Sequence, residues 1–409
     1  YAEGMSHILG YTGKINSSEL ESLQAVDPSY TQNDVVGKAG IEAQYETTLA
    51  GTKGSITMIV DNLGRIIAQS VDARRVRTIV DDNNLAEKGA KFPNAKRFFD
   101  FREMYAEMKS LDAVLVSTPD HTHAYISIDC MNAGKHVYVQ KPLVRTLWEL
   151  DQFNKTAKEN GVVTQMGNQG SSLDSMRRCT EVIQSGILGD VKEVHVWTNR
   201  PVWPQGKAVA DWVKGHPKGD KLRPGLNWNA WLATAKNRPF LDMYPENADV
   251  YDPWKLGKNV YHTFTWRGFF DFGCGAFGDM ACHTMNLAFR GLELGGVSDA
   301  ICTKIESQND VAYPLKSVVK LTYKARDSKV RPGVKLPAVT LYWYDGNVKP
   351  DAKIMPKWAA AHEGKVPDTG CYIIGSKGAV LMQDDYGGKC AIALNDDKAF
   401  VDVFEHEAA

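Results

Sequence analysis

The sequence predicts an α/β chain, an incomplete doubly wound parallel sheet followed by an α+β part with a large, mainly antiparallel sheet. Three observations predict it. Short β-branched runs alternate with amphipathic stretches of helical length from about Arg75 to Gly186, strands after Gly189 switch to period-2 alternation, and the first 70 residues follow neither plan. The corresponding division is 1–72, 73–188 and 189–409.

The first segment carries Gly-x-x-Gly three times, at Gly10/Gly13, Gly37/Gly40 and Gly51/Gly54, and a hairpin over 55–68 turning at Asp61-Asn62-Leu63-Gly64. It holds no Gly-x-Gly pair. A buried strand is expected over 76–80, ending in Asp81-Asp82, then a helix over 100–110 and a strand over 112–118 closed by Pro119. A helix over 124–133 stops at Gly134, and a strand over 136–140 is broken by Pro142. Thr146 and Glu149 form a capping box that opens a helix running to Gly161. A strand over 162–167 and a helix over 173–185, closed by Gly186, complete the alternation. Such alternation implies right-handed βαβ crossovers. Strands over 192–197, 317–323, 339–344 and 372–382 alternate polar with apolar, as half-buried antiparallel strands do. Between them, residues 200–266 hold six of the ten tryptophans and read as a wall of a cleft.

Composition excludes several functions. The 409 residues carry 48 Lys+Arg against 49 Asp+Glu, a formal charge of −1, which gives no footprint for nucleic acid or anionic lipid. No apolar run reaches the roughly 18–20 residues that cross a bilayer. Seven cysteines without C-x-x-C spacing read as reduced core residues. Tyr1 in place of Met leaves localisation undetermined between cytoplasm and periplasm.

Strands of a parallel sheet deliver their ligand-facing residues at the carboxyl edge, so Thr118, Asp120, His123 and Lys141 point toward one common site. Each residue alone equally suits a strand end or helix cap; two adjacent polar strand ends favour a site. His121-x-His123 lacks a third ligand at defined spacing, so no metal is expected. Gly273-Cys-Gly-Ala-Phe-Gly278 matches Gly-x-Gly-x-x-Gly, yet it follows an aromatic run rather than a β-branched strand and reads as a decoy. Asp279 and His283, four apart, share one helix face, where a carboxylate can orient an imidazole base. Ordinary surface pairing is the competing reading. No carboxylate pair stands at glycosidase spacing, and Ser317-x-x-Lys320 lies in a strand without a Lys-Thr-Gly partner.

Ser117-Thr-Pro-Asp-His-Thr-His123, Gly134-Lys-His-Val-Tyr-Val-Gln-Lys-Pro142, Gly167-Asn-Gln-Gly170 and Gly275-Ala-Phe-Gly-Asp-Met-Ala-Cys-His283 resemble the Gfo/Idh/MocA family of NAD(P)-dependent sugar oxidoreductases, over about residues 75–409. The resemblance implies a Rossmann-like domain in which Lys141 touches both the nicotinamide ribose and the reacting hydroxyl. His283 would be the base and Asp279 its partner or a substrate contact. Thr118, Pro119, Asp120, His123, Gln140, Pro142, Asn168 and Gln169 would line the cofactor, and Asp81 would favour NAD over NADP. The family usually has Glu where Gln140 stands. Its initial strand, glycine turn and helix are not found before Val76. There, His7-Ile-Leu-Gly-Tyr11, Val36-Gly-Lys-Ala-Gly-Ile-Glu42 and Gly64-Arg-Ile-Ile67 resemble the non-catalytic part of a penicillin-binding transpeptidase.

The expected activity is hydride transfer between NAD and a sugar or glycoside carbinol. Arg200, Trp203, Gln205, Tyr261, His262 and Trp266 are the substrate-side candidates, since aromatic planes with a few polar groups suit pyranose faces. Two alternatives remain: a redox-assisted glycoside hydrolase with the same residues, and a cofactor-less sugar-binding or cell-wall scaffold. Relatives also suggest a homo-oligomer paired through the second sheet.

Overall fold

Two compact units divide the chain, Tyr1–Arg77 and Thr78–Ala409. The computed structural model describes residues 12–26, 28, 30–32, 35–37, 55–60, 66–72, 76–79, 98, 100–108, 111–223, 226–245, 248, 250, 259–261 and 264–407. The turn expected at Asp61 to Gly64, the nucleotide-side Asp81 and the substrate-side His262 lie outside them.

In the first unit β1 (Thr12–Lys14) pairs antiparallel with β2 (Val35–Gly37). Helix α1 (Ser17–Gln24) opens on Asn16, whose side chain accepts from Ser18 and Glu19 while Glu19 reaches back to the Asn16 N–H. The expected hairpin is present as β3 (Ser55–Val60) and β4 (Ile66–Asp72), antiparallel from Ser55↔Asp72 and four residues longer than its alternation showed.

Strand β5 (Val76–Ile79) heads a four-stranded sheet with β6 (Ala113–Val116), β7 (His136–Gln140) and β8 (Thr164–Gly167), in the order β5-β6-β7-β8. Pairs β6–β7 and β7–β8 are parallel. Helix α2 (Phe101–Glu107) precedes β6, capped by Asp100, while α3 (Asp120–Asn132) and α4 (Leu147–Glu159) make the crossovers. Val114, Val116, Val137 and Val139 share one face and pack on Ile126, Cys130 and Met131 of α3 and Phe153 of α4. On the opposite face Tyr138 and Gln165 are exposed. Strand order advances in one direction only, as in one winding of the Rossmann-like parallel sheet expected. The Thr146–Glu149 capping box is present, with Glu149 N–H on Thr146 Oγ1 at 3.1 Å. Helix α3 starts four residues earlier than its apolar pattern suggested, because the polar run 120–123 is buried rather than looped out.

Helix α5 (Asp174–Ser185), ended by Gly186 at φ 85°, leads to β9 (Val191–Trp197). The aromatic segment follows with α6 (Lys207–Gly215), α7 (Trp228–Leu232), a 3₁₀ turn at Thr265–Gly268, α8 (Gly275–Thr284) and α9 (Asn286–Gly291). Then come β10 (Asp299–Glu306), β11 (Lys316–Tyr323), a ribbon of β12 (Arg326–Asp327) with β13 (Lys335–Leu336), β14 (Val339–Tyr344) and α10 (Pro356–Ala361). The chain closes with β15 (Gly370–Gly375), β16 (Gly378–Met382), β17 (Cys390–Leu394) and β18 (Val401–Asp402). The alternation over 372–382 is thus a hairpin rather than one strand, turning at Ser376-Lys377.

Eight strands form one sheet, β10-β11-β14-β9-β15-β16-β17-β18, in which only β14–β9 is a parallel pair. Its inner face buries Val194, Leu341, Trp343, Ile373, Val380 and Ile392 against α5, α8 and α9. No helix among the described residues is long and apolar enough to cross a membrane.

One contact of this core fixes the position of α8. Phe277 stacks on the fully buried Trp343 with ring centroids 4.8 Å apart, and Trp343 Nε1 donates to Asp345 Oδ2 at 3.0 Å. Trp343→Ala removes the platform and is expected to cost about 3–5 kcal/mol in urea unfolding. A loss under about 1 kcal/mol would show that α8 is held from elsewhere.

Candidate active site

Strand β7 stops because Pro142 cannot continue the ladder, and the Lys141–Pro142 peptide is cis. That stop turns Lys141 across to α8, where its Nζ donates to Asp279 Oδ1 at 2.7 Å and to the Asp279 carbonyl at 3.0 Å. Arg267 Nε reaches the same oxygen at 3.2 Å. Its guanidinium lies 4.2 Å from the Phe264 ring centroid and 4.3 Å from that of Trp266. Burial opposes a charged Asp279, but the Lys141 ammonium and the Arg267 guanidinium outweigh it and hold the carboxyl well below the usual carboxylate range.

His283 lies one turn further along α8 and is buried. Its Nδ1 has no hydrogen-bond partner. Burial and the Lys141 cation push its pKa down to about 4, against the pull of Asp279, the Gln169 backbone and Asp385. The imidazole is therefore neutral near pH 7 and able to accept a proton. The expected orientation of His283 by Asp279 is corrected: the Asp279 carboxylate binds Lys141 and Arg267, and reaches His283 only through its field.

The decoy glycines serve close packing. A Cβ at Gly273 would lie 2.5 Å from the Arg267 Cα, and one at Gly275, where φ is 61°, would lie 2.5 Å from the Tyr313 ring. The strand that a phosphate-binding turn would follow is replaced by the 3₁₀ turn.

Around this centre, Thr118 and Pro119 end the β6 loop. Asp120 opens α3 with Oδ2 buried and unpartnered, and burial raises its pKa against the pull of His123, Arg267 and Lys141. His123 faces Pro142 O at 2.7 Å through Nδ1 and Thr118 O at 2.8 Å through Nε2, so it ties the two strand ends together. Gln140 Oε1 accepts the Lys141 N–H at 3.3 Å. Asn168 donates to the Cys282 carbonyl at 2.6 Å and leaves Oδ1 buried without a partner. Gln169 is exposed beside it. Burial pushes the Cys282 thiol up to about 11, which removes it as a thiolate nucleophile.

The substrate-side expectations need correction. Trp203 is fully buried and donates to Gln205 Oε1 at 2.8 Å, while Gln205 holds the Pro314 carbonyl. Tyr261, 1% exposed, stacks against Trp228 inside the aromatic cluster. Trp266 is buried beneath Arg267. Rings enclosed in this way present no face to a sugar; the density of tryptophans reflects a second core. Arg200 pairs with Asp385 at 2.9 Å. Sequence reasoning missed Arg267 and Tyr386, whose ring meets that of His283 at 4.9 Å and 76°. Neither carries a spacing signal; Arg267 adjoins Trp266, and Tyr386 follows two aspartates before Gly387-Gly388.

Residues 49–168 match the oxidoreductase family with an NAD-binding Rossmann fold, and residues 1–80 match the penicillin-binding protein dimerisation domain. The 2,7-anhydro-N-acetylneuraminate hydratase of Mediterraneibacter gnavus is 25% identical over 37% of this chain and 39% of its own length. The myo-inositol 2-dehydrogenase of Thermotoga maritima is 27% identical over 31% of this chain and 37% of its own. The peptidoglycan D,D-transpeptidase MrdA of Haemophilus influenzae is 42% identical over 16% of this chain and 11% of its own. The chain thus spans well under half the length of these relatives. The WlbA dehydrogenase from Bordetella pertussis, solved with NADH and UDP-GlcNAcA, aligns at 17% identity and TM-score 0.48 over 78% of this chain and 75% of that one. Both resemblances read from the sequence, to the oxidoreductases and to the transpeptidase segment, are present.

His121 adds a pH dependence to the site. Its Nε2 lies 2.8 Å from the Trp231 carbonyl, and burial pushes its pKa from 6.5 to about 4, as it does for His283. The unfolded chain binds these protons first, so their contribution is complete above about pH 6.5 and is lost as pH falls toward 4. Each histidine accounts for at most about 3 kcal/mol. In urea unfolding, His121→Gln should lose less stability between pH 7 and pH 5 than the unaltered chain. An equal loss would remove His121 as a source.

Proposed function

We propose that this chain is an NAD(P)-dependent oxidoreductase that moves a hydride between nicotinamide and the carbinol carbon of a sugar, cyclitol or glycoside. The observation that carries the reading is Lys141 at the carboxyl edge of the parallel sheet, paired at 2.7 Å with the buried Asp279 and with His283 one helical turn away. Two orphaned buried atoms, Asn168 Oδ1 and His283 Nδ1, fit the polar end of a nicotinamide and a substrate hydroxyl. Thr118, Pro119, Asp120, Gln140, Pro142, Asn168 and Gln169 would hold the cofactor, with His123 bracing them. Asp81 remains the basis for preferring NAD to NADP. The dehydrogenase relatives and the match over 49–168 support the same class.

When bound, NAD(P) supplies the hydride acceptor or donor. Lys141 Nζ holds the carbinol oxygen and stabilises negative charge developing on it. His283 Nδ1 takes the hydroxyl proton in the oxidising direction and returns it in the other. Asp279 aims the ammonium, and Arg267 shares the carboxylate, so two cations and one anion leave a net positive charge beside the carbinol oxygen. Pairing of copies through the outer face of the eight-stranded sheet accompanies this reading, supported by the row of Tyr342, Tyr344 and His195 on that face.

The hydratase relative favours a second reading, in which oxidation is transient and the net reaction splits or hydrates a glycoside. The two differ in product: this route cleaves the glycoside without accumulating NADH.

Lys141→Met separates chemistry from binding. Turnover is expected to fall at least about 100-fold, the usual loss when one donor to a developing oxyanion is removed. NADH binding, followed by energy transfer from tryptophan, should weaken by much less, about tenfold at most, since only the Lys141 contact to the ribose is lost and the remaining strand-end contacts persist. Full turnover in the variant would overturn the assignment.

A further inference from the structure

We propose that Tyr386 is the specificity-determining residue of this site, and that its ring selects cyclic polyols, pyranoses or cyclitols, over open-chain ones. The proposal rests on the oxidoreductase reading above and adds the shape of its substrate. With Trp203, Tyr261 and Trp266 enclosed in cores, none of the expected aromatic planes is offered to a ligand. Tyr386 is 41% exposed while standing against His283, the proton acceptor, at 4.9 Å.

Exposed tyrosines ordinarily sit on loops whose freedom weakens recognition, but the backbone beneath this one is fixed from four sides. Asp384 Oδ1 accepts the N–H groups of Tyr386, Gly387 and Gly388 at 3.0, 2.6 and 3.1 Å. Ser175 Oγ donates to the Gly387 carbonyl. Asp385 next door is tied to Arg200 at 2.9 Å, with both side chains at most 15% exposed. The Gly167–Gly170 loop passes so close that a Cβ at Gly170 would lie 2.1 Å from the Tyr386 carbonyl. Arg200, expected to touch substrate, is in this arrangement a positioning residue for Tyr386. A ring whose backbone is already ordered binds a flat C–H face without an ordering cost. Cyclic polyols present such a face. Open-chain polyols do not hold one.

The test compares Tyr386→Ala and Tyr386→Phe with the unaltered chain on myo-inositol, methyl α- and β-D-glucopyranoside and sorbitol. For whichever cyclic probe is turned over, Tyr386→Ala should raise KM about tenfold or more with kcat changed less than threefold, and Tyr386→Phe should preserve KM, as expected for loss of ground-state stacking. The preference for that probe over sorbitol should shrink by the same factor in the Ala variant. Unchanged KM in Tyr386→Ala overturns the proposal, as does equal loss in Tyr386→Phe, which would assign the effect to the hydroxyl. Equilibrium titration of the same probes into NADH-loaded protein, with and without Tyr386→Ala, separates the two readings. If cyclic probes bind but no nicotinamide is oxidised or reduced, the oxidoreductase reading fails, and the ratio of dissociation constants still decides Tyr386. If no cyclic probe binds the unaltered chain, the proposal is overturned. Retained near-ultraviolet circular dichroism distinguishes a binding loss from misfolding, and Tyr386→Leu, which keeps an apolar side chain, should show the Ala result.

Discussion

The ion pair between Lys141 and Asp279 is the constraint on which the site depends. It joins residues 138 apart in sequence, one at the end of a parallel strand and one on a helix packed against the other sheet. Side-chain exposures of 12% and 8% place it largely out of water, where its attraction is strong and removal of one partner typically costs about 3–5 kcal/mol. Arg267 makes the cluster a triad of two cations and one anion. That surplus of positive charge is suited to an oxygen acquiring negative charge, while burial, aided by the Lys141 cation, lowers the pKa of His283 to about 4. The electrostatics of the centre therefore follow from one contact and its immediate neighbour.

The aromatic segment supplies the rigidity this contact needs. Trp228, Trp231, Tyr261, Phe269 and Phe272 form a core of their own, with ring centroids 4.6–6.4 Å apart among the pairs they make. His121 enters it from the strand end, through the Trp231 carbonyl and through its own N–H on the Phe272 carbonyl at 3.1 Å. The residues after β6 are thereby buried on both sides. Arg238 lies 5.1 Å from the Phe272 ring and pairs with Asp271, closing the cluster with a charge rather than leaving it open. From the other direction, the Phe277–Trp343 stack anchors α8 to the large sheet. Under the proposed function this support on both sides matters, since a displacement of about 1 Å can cost about 100-fold in rate.

Local rules made much of the fold legible. The strands over 113–116, 136–140 and 339–344, the Thr146–Glu149 box and the Gly186 helix end all follow from periodicity and capping, which act within a few residues. So does the shared helix face of Asp279 and His283. Burial of polar side chains was not legible in the same way. His121 and His123 looked like a loop because the Trp231 and Pro142 carbonyls they meet belong to chain segments that periodicity cannot bring together. For the same reason the tryptophans between 200 and 266 resembled a cleft wall when most of them are core: composition records how many rings there are, whereas exposure depends on what surrounds them.

By itself the sequence determined the alternation of strand and helix, the polar strand ends that gather at one sheet edge, the i,i+4 pair on its helix, and the likeness of both chain segments to known families. Each is a property of spacing or of residue identity. Only tertiary structure decided that Asp279 binds Lys141 and Arg267 instead of His283, that the Gly273–Gly278 glycines allow close packing, and that Tyr386 rather than Trp203, Tyr261 or Trp266 stands open beside His283. Those outcomes are set by distances between residues far apart in the chain and by exclusion of water around them, and neither quantity exists until the sheets have packed.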